Sequence, residues 1–422
     1  MFVRIIILNE INFLGNMDSE IYDSEYYHEV KLLLTYFGLW PNLSRFRKVV
    51  SFIAMVAMPI SLVIPMSFGL KRAIRLKEPI QIIEDTIGIL YFLAITTKYI
   101  CIFIFEGRMI VVYEQIASDW KKIKDKNELE YLHGRAKEGK IITILYLGYG
   151  AVGCTIFAST PYLPLFLDLV IPLNVSRDKI YPYYADYVIV DSEKYFYTLY
   201  TLHGIFIIIL VTMSAISIDC LFIMMVKHSV GLFQIVCYRL KKIGEEHNEK
   251  PHECKRLMDD KIIHTRMKEI FDSHKSSIEC VDAIQASFDV SFLFIMTMSG
   301  VGVSLILFDL LLNLDDLTQI LRINSMMFGV YIAVFVICYA AQMTLNSSEI
   351  VFNDTYCGYW YNISPNARKY TQMVMVRSMK PCIITAGGLI NMNLQSFFAI
   401  LKTSVSYATV MLSMQEESNM QN

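Results

Sequence analysis

Seven ionisable residues lie inside long apolar runs of this chain: Glu84, Asp85, Lys98, His203, Asp219, Asp309 and Lys402. An ionisable group in hydrocarbon is costly, so it marks a proton relay, an ion path, a ligand contact or a buried pair. Catalysis would need these groups in a working constellation. None is spelled out: there is no HExxH, GxSxG, paired-aspartate or phosphate-loop arrangement. Asp219 is followed two turns later by Lys227 and His228, which reads as a structural pairing along one helix. Lys98, near the end of its run, is expected to snorkel toward water. His247, His252 and Cys254 share one polar stretch, but their spacing suits no zinc cluster. Nine cysteines are scattered without a CxxC pair, which gives neither a zinc site nor a disulfide framework. The residues point to no enzyme, no cofactor and no nucleic-acid partner.

The elements that must position these groups are membrane spans. The chain has 422 residues, 55% hydrophobic and only 18% charged, with a formal net charge of −2. Soluble domains carry nearer 25% charged residues and do not repeat apolar runs of about 20. Seven runs are long enough to cross a bilayer: 49–70, 82–105, 141–163, 195–226, 288–313, 323–345 and 382–413. The second is the weakest, because it holds Glu84, Asp85 and Lys98. The expected fold is an all-α polytopic membrane protein with seven transmembrane helices. Its last helix is broken into two parts by Gly387, Gly388, Asn391 and Asn393.

Lysine and arginine set the expected orientation. The segments 1–48, 106–140, 227–287 and 346–381 hold 28 of them, against eight in the alternate connections. Positive residues stay inside, so the N-terminus is expected in the cytoplasm and the C-terminus outside. That is the reverse of a G-protein-coupled receptor, the metabotropic alternative. Four regions follow: a cytoplasmic or interfacial lead-in at 1–48, spans one to four at 49–226, a cytoplasmic loop with helical extensions at 227–287, and spans five to seven at 288–422. In the lead-in, Trp40 of Gly38-Leu39-Trp40-Pro41 is expected at a membrane interface, half buried. On the outer side, the loop at 164–194 carries five acidic residues and the sequon Asn174-Val175-Ser176, a glycosylation site.

Two residue sets then suggest function. In the outer halves of the spans stand Tyr91, Cys154 and Phe157, followed by Tyr200, His203, Met327 and Tyr331. Aromatic and soft residues with isolated hydrogen-bonding groups and no fixed charge suit a small, largely apolar, neutral ligand. In the last span, Ser396, Ala399, Thr403, Ser406, Val410 and Ser413 recur at steps of three and four and share one helical face. A hydroxyl stripe has no use for lipid. It wants a neighbouring helix or water.

The C-terminal third resembles the insect odorant receptor family. The residues that carry the likeness are Cys338-Tyr339, Ser348, Tyr356, Trp360-Tyr361, Arg368-Lys369, Met375-Val376-Arg377 and Pro381. The last span adds Thr385-Ala386-Gly387-Gly388, Ile400-Leu401-Lys402-Thr403-Ser404 and Ser406-Tyr407. Upstream, Gly38-Leu39-Trp40-Pro41, Asp219 and His228 are also family habits, whereas Ala341 and Ser347 depart from the usual glycine and glutamate. Ser413 follows Ser406-Tyr407 where gustatory receptors and the shared co-receptor tend to carry glutamine, so the likeness is to an odour-tuned subunit. The resemblance implies an odour-gated, nonselective cation channel, a heterotetramer with the odorant receptor co-receptor. It also implies a plasma membrane location, in olfactory sensory neuron dendrites. It implies that the second half of the last helix lines the pore, with Thr403 and Ser406 on its wall, Val410 and Met414 as a hydrophobic gate and Ser413 at the narrow polar position. Its first half would join spans five and six in a cytoplasmic anchor. A gustatory-type homomeric channel is the alternative within the same architecture.

Overall fold

The computed structural model describes residues 20–171, 177, 179–187, 195–248, 256–314, 317–358, 360–361, 363 and 365–421. A 3-10 turn at Glu20–Asp23 leads into α1 (His28–Tyr36). The next helices are α2 (Arg45–Leu76), α3 (Pro79–Ile104), α4 (Glu106–Lys122), α5 (Lys126–Ser159) and the short α6 (Leu163–Val170). Then come α7 (Thr201–Asn248), α8 (Arg256–Leu312), α9 (Leu317–Cys357) and α10 (Pro365–Ser378). A two-stranded antiparallel hairpin, β1 (Thr385–Ala386) and β2 (Ile390–Asn391), precedes the final helix α11 (Leu394–Gln421). Seven of the described helices are long and apolar enough to cross a membrane. They overlap the seven runs read from the sequence, the last of them only from Leu394 on.

Local sequence explains where these helices start. Ser44 caps α2 by accepting from the Arg47 N–H at 3.4 Å, and Asp125 caps α5 by accepting from the Asn127 N–H at 2.9 Å. Lys77 takes a left-handed conformation to end α2, and Pro79 opens α3 two residues later.

At 1.5 Å per residue, the 48 residues of α7 and the 57 of α8 extend for about 70 and 85 Å. The hydrocarbon core is only about 30 Å thick. Both helices therefore project well beyond it at one end and, with α4, α5, α9 and α10, build a stem. Among the seven apolar helices α7 is the most enclosed and α11 the least.

The stem is held by ion pairs between helices. Arg239 donates two bonds of 2.7 Å to Glu128 and one of 2.6 Å to Ser273. Lys227 meets Glu138 at 2.8 Å, and His228 meets Asp119 at 3.0 Å. These contacts correct the expected pairing of Lys227 and His228 with Asp219. Each of those side chains leaves its own helix and finds a partner on a neighbour. Trp40 also differs from expectation. It is 4% exposed, edge-on to both Tyr22 and Tyr113 at 5.3 Å, and the Tyr22 hydroxyl donates to the Tyr113 carbonyl at 2.7 Å. The lead-in is packed into the stem core, with Trp40 buried inside it rather than half buried.

The final span is divided, as its glycines suggest, but the helical part before the break is α10, from a segment assigned to a loop. Residues 381–384 have no regular secondary structure, and the hairpin follows. Gly387 and Gly388 form its turn with φ of 62° and 66°, a region that side chains other than glycine enter at a cost. The hairpin is pinned to α8: the Thr385 N–H donates to Gln285 Oε1 at 2.7 Å, and the Gly387 N–H to the Asp289 carbonyl at 3.1 Å. Ser348 accepts from the Cys382 N–H at 2.9 Å, giving that motif serine a structural task. Asn393 then caps α11 by accepting from the Ser396 N–H at 2.8 Å. A Cβ on Gly387 would stand 2.6 Å from the Leu293 side chain. Gly387→Ala is therefore expected to cost about 1–3 kcal/mol. A fall in the thermal midpoint of the purified protein larger than that for Gly388→Ala, where the space is open, checks it.

Candidate ligand cavity and the outward face of the last helix

Between α3, α5, α7, α8 and α9 the apolar end of the bundle encloses a cavity of about 340 Å³. That is within the range of small-molecule sites. On α3 the residues Glu84, Ile87, Tyr91, Ile95 and Lys98 recur at steps of three and four, so one face lines it from end to end. The rise from Glu84 to Lys98 makes the cavity about 20 Å long.

Its middle is aromatic and soft. Tyr91, Cys154 and Phe157 stand on its wall. Thr212 donates to the Ile208 carbonyl at 2.6 Å, so in the 2.5 Å contact between Tyr91 and Thr212 the phenol is the donor. α8 contributes Met298, Ser299, Gly302 and Ile306, and α9 contributes Met326 and Val330. The sequence reading lacked these six. Their spacing was a usable signal, since each set again shares one helical face.

The two ends of the cavity carry charge, which corrects the reading of a lining without any. At one end Lys98 meets Asp219 at 2.5 Å, donates to the Ala215 carbonyl at 3.2 Å, and is 4% exposed. It is buried and paired, so it does not snorkel. The second Asp219 oxygen accepts from the Tyr146 hydroxyl at 3.1 Å. At the other end Glu84 forms an ion pair with Arg322, and Asp309 completes the lining.

A tyrosine lid closes the side near residues 181–187. Tyr183 stacks on Tyr200 with ring centres 4.8 Å apart, and each hydroxyl donates to the other residue's carbonyl at 2.5 Å. Gly204 makes this possible, because a Cβ there would meet the Tyr183 ring at 2.0 Å. Ser61 donates its proton to the Met58 carbonyl, so its 3.2 Å contact with His203 Nε2 is accepted from the ring. That leaves His203 Nδ1 to accept from the Tyr187 hydroxyl at 2.7 Å. Burial pushes the Tyr183 and Tyr187 phenols up from their ordinary value, so both remain donors. Tyr200 and His203 thus belong to the lid. Met327 and Tyr331 lie half-buried on α9 beside the lining and outside it.

The last helix shows two faces. Phe397, Ser404 and Ala408 are buried against the bundle, and the Ser404 hydroxyl donates to the Gly300 carbonyl at 3.2 Å. Thr403, Ser406 and Ser413 are exposed, as are Val410 at 51% and Met414 at 64%. The hydroxyl stripe faces away from the chain's own helices. Near its end, α11 touches the cavity wall indirectly. Ala408 is packed with Ile83 of α3 and Phe308 of α8, and Ile87, Met411 and Leu412 close the same cluster.

Asp168 is paired with Arg177 at 2.5 Å. Asn174, Asp178, Asp191 and Glu193 lie outside the described residues, as do His252 and Cys254.

A family model described as 7tm Odorant receptor matches residues 78–405. The chain is similar to Odorant receptor 82a of Drosophila melanogaster, 22% identical over 310 residues that cover 72% of this chain and 75% of that one. It is 26% identical over 146 residues to Odorant receptor Or2 of Anopheles gambiae, covering 34% of this chain and 38% of that protein. Among solved structures, that of the insect olfactory receptor OR5 from Machilis hrabei in complex with eugenol has a similar fold, with a TM-score of 0.72. It is 15% identical in sequence and covers 93% of this chain and 100% of that one. A second structure of the insect olfactory receptor OR5 from Machilis hrabei gives a TM-score of 0.70 at 16% identity, over 94% of this chain and 100% of that one.

Proposed function

The chain belongs to the odorant receptor family as a multi-pass membrane protein, and from that premise we propose that it is a subunit of an odour-gated, nonselective cation channel. A small neutral volatile enters the cavity, and the pore is lined by α11 of this chain together with its equivalents in a heterotetramer with the odorant receptor co-receptor. The channel works in the plasma membrane of olfactory sensory neuron dendrites, with the N-terminus cytoplasmic and the C-terminus outside.

The observation that carries this reading is the outward face of α11. A single helix cannot enclose water, and a hydroxyl stripe unused by its own bundle fits the wall of a path shared by several subunits. Thr403 and Ser406 line that wall, Val410 and Met414 form the dewetting gate, and Ser413 is the narrow polar ring. The cluster of Ile83, Ile87, Ala408, Met411 and Leu412 supports a route from ligand to gate. A ligand on α3 moves the balance only if it binds the open arrangement more tightly than the closed one.

Recording from cells that express the chain alone and with the co-receptor tests the assignment. Odour-evoked cation current is expected only from the pair. Robust current from this chain alone would favour the gustatory-type homomeric channel, and an amino terminus accessible on intact cells would contradict the channel topology.

A further inference from the structure

The end of the cavity farther from Lys98 is unbalanced in a way that specifies a ligand. Glu84, Asp309 and Arg322 all line it, and Arg322 is ion-paired with Glu84, so two carboxylates stand with one guanidinium. The Glu84 side chain is 9% exposed, and its Oε1 is the atom paired with Arg322. Its Oε2 is buried and has no hydrogen-bond partner. Arg322 donates its Nε–H to Gln319 Oε1 at 2.9 Å. Asp309 is 2% exposed and takes its own donor from the Asn313 side chain at 3.0 Å. A buried carboxylate oxygen left without a donor is expensive, more so than any ordinary hydrogen bond is favourable. Glu84 is a residue of the cavity wall, so the donor this oxygen lacks can come from a molecule held in the cavity.

We infer that this site takes a ligand with a hydrogen-bond-donating head, a hydroxyl or a primary amine, seated on Glu84 Oε2. The apolar body of the ligand lies along Ile87 and Tyr91 toward the middle of the cavity. The rise of α3 between Glu84 and Tyr91 gives that ligand a length of about 10 Å. Ethers and hydrocarbons of the same length leave the oxygen unsatisfied, and carboxylates are repelled by the surplus negative charge. The selection follows the rule that a site built to bond a donor rejects the analogue lacking it. This inference rests on the cavity being the odorant site.

The test uses the full chain with the co-receptor and four probes of one length: octanol, octylamine, methyl heptyl ether and octanoate. Octanol or octylamine is expected to open the channel at a concentration about tenfold or more below the ether, with octanoate inactive. Glu84→Gln keeps an oxygen for Arg322 but turns a donor toward the cavity. It is expected to raise the half-maximal concentration of octylamine, whose ammonium cannot accept a hydrogen bond, about tenfold, and to lower that of the ether toward that of octanol, whose oxygen accepts from the new amide. An advantage of octylamine over octanol assigns an ionic contact, and octanol alone assigns a hydroxyl. Surface labelling of each variant controls for folding, and Asp309→Asn, which retains the Asn313 contact, provides a second variant with a weaker shift in the same direction. Thermal stabilisation of the purified full chain by the same four probes reads binding without current. Stabilisation by the donors without any current removes the gating reading and leaves this inference standing. Equal response to octanol and the ether, an equal effect of Glu84→Gln on both, or stabilisation by none of the four overturns it.

Discussion

Replacing Lys98 by alanine is expected to remove most of the protein from the cell surface and to cost about 3–5 kcal/mol of stability, as breaking a buried ion pair does. Lys98 is 4% exposed and Asp219 is 2% exposed. Both Asp219 oxygens are used, one by Lys98 at 2.5 Å and the other by Tyr146 at 3.1 Å. Without Lys98, an aspartate in the middle of the most enclosed helix loses its counter-charge. Asp219→Ala is expected to be as damaging, because it strands the ammonium. The double variant Lys98→Met with Asp219→Leu is expected to recover much of the loss, since apolar groups of similar size need no partner. Surface labelling and the thermal midpoint of the purified protein measure all three. Equal loss in the single and double variants would mean that the pair acts through packing and not charge.

Val410→Ala is expected to raise current in the absence of ligand. Val410 is 51% exposed in the isolated chain and shares the outward face with Ser406 and Ser413. A narrow apolar ring closes a pore by expelling water, which requires bulk and low polarity at the constriction. Removing two methyl groups alters apolar contact by about 1–2 kcal/mol per subunit, enough to shift the open-to-closed ratio about fivefold or more. Val405→Ala, also exposed on α11 but off the stripe, is expected to leave basal current unchanged. Unaltered basal current, conductance and selectivity in Val410→Ala would remove α11 from the pore.

Much of this was legible in the sequence because hydropathy is a local property. The seven spans need only the composition of each run, and the α11 stripe needs only the spacing of Thr403, Ser406, Val410 and Ser413. What could not be read there depends on partners distant in the chain. Asp219 finds Lys98 on another helix, 121 residues away, while the nearer Lys227 turns to Glu138. Trp40 has the composition of an interfacial residue, and only the positions of Tyr22 and Tyr113 make it a core residue. Gly387 and Gly388 announced a break without its shape: the positive φ values and the bonds to Gln285 and Asp289 turn it into a hairpin. Tyr91, Cys154 and Phe157 reach the cavity from three positions on two helices, yet the charged end formed by Glu84, Asp309 and Arg322 exists only once α3, α8 and α9 meet.

Whether the outward stripe of α11 lines a ligand-gated ion path can be read from cysteine accessibility. Single cysteines at Ser406, Ser413 and the packed Ser404 are expressed with the co-receptor, in a background where Cys357, exposed among the described cysteines, and Cys254 are both replaced by serine. A charged thiol reagent is then applied with and without odour. Current through the Ser406 and Ser413 variants is expected to be altered irreversibly, faster at Ser406 when odour is present because it lies beyond the gate, while the Ser404 variant is indifferent. Modification at Ser404 with Ser406 and Ser413 unaffected would contradict that lining.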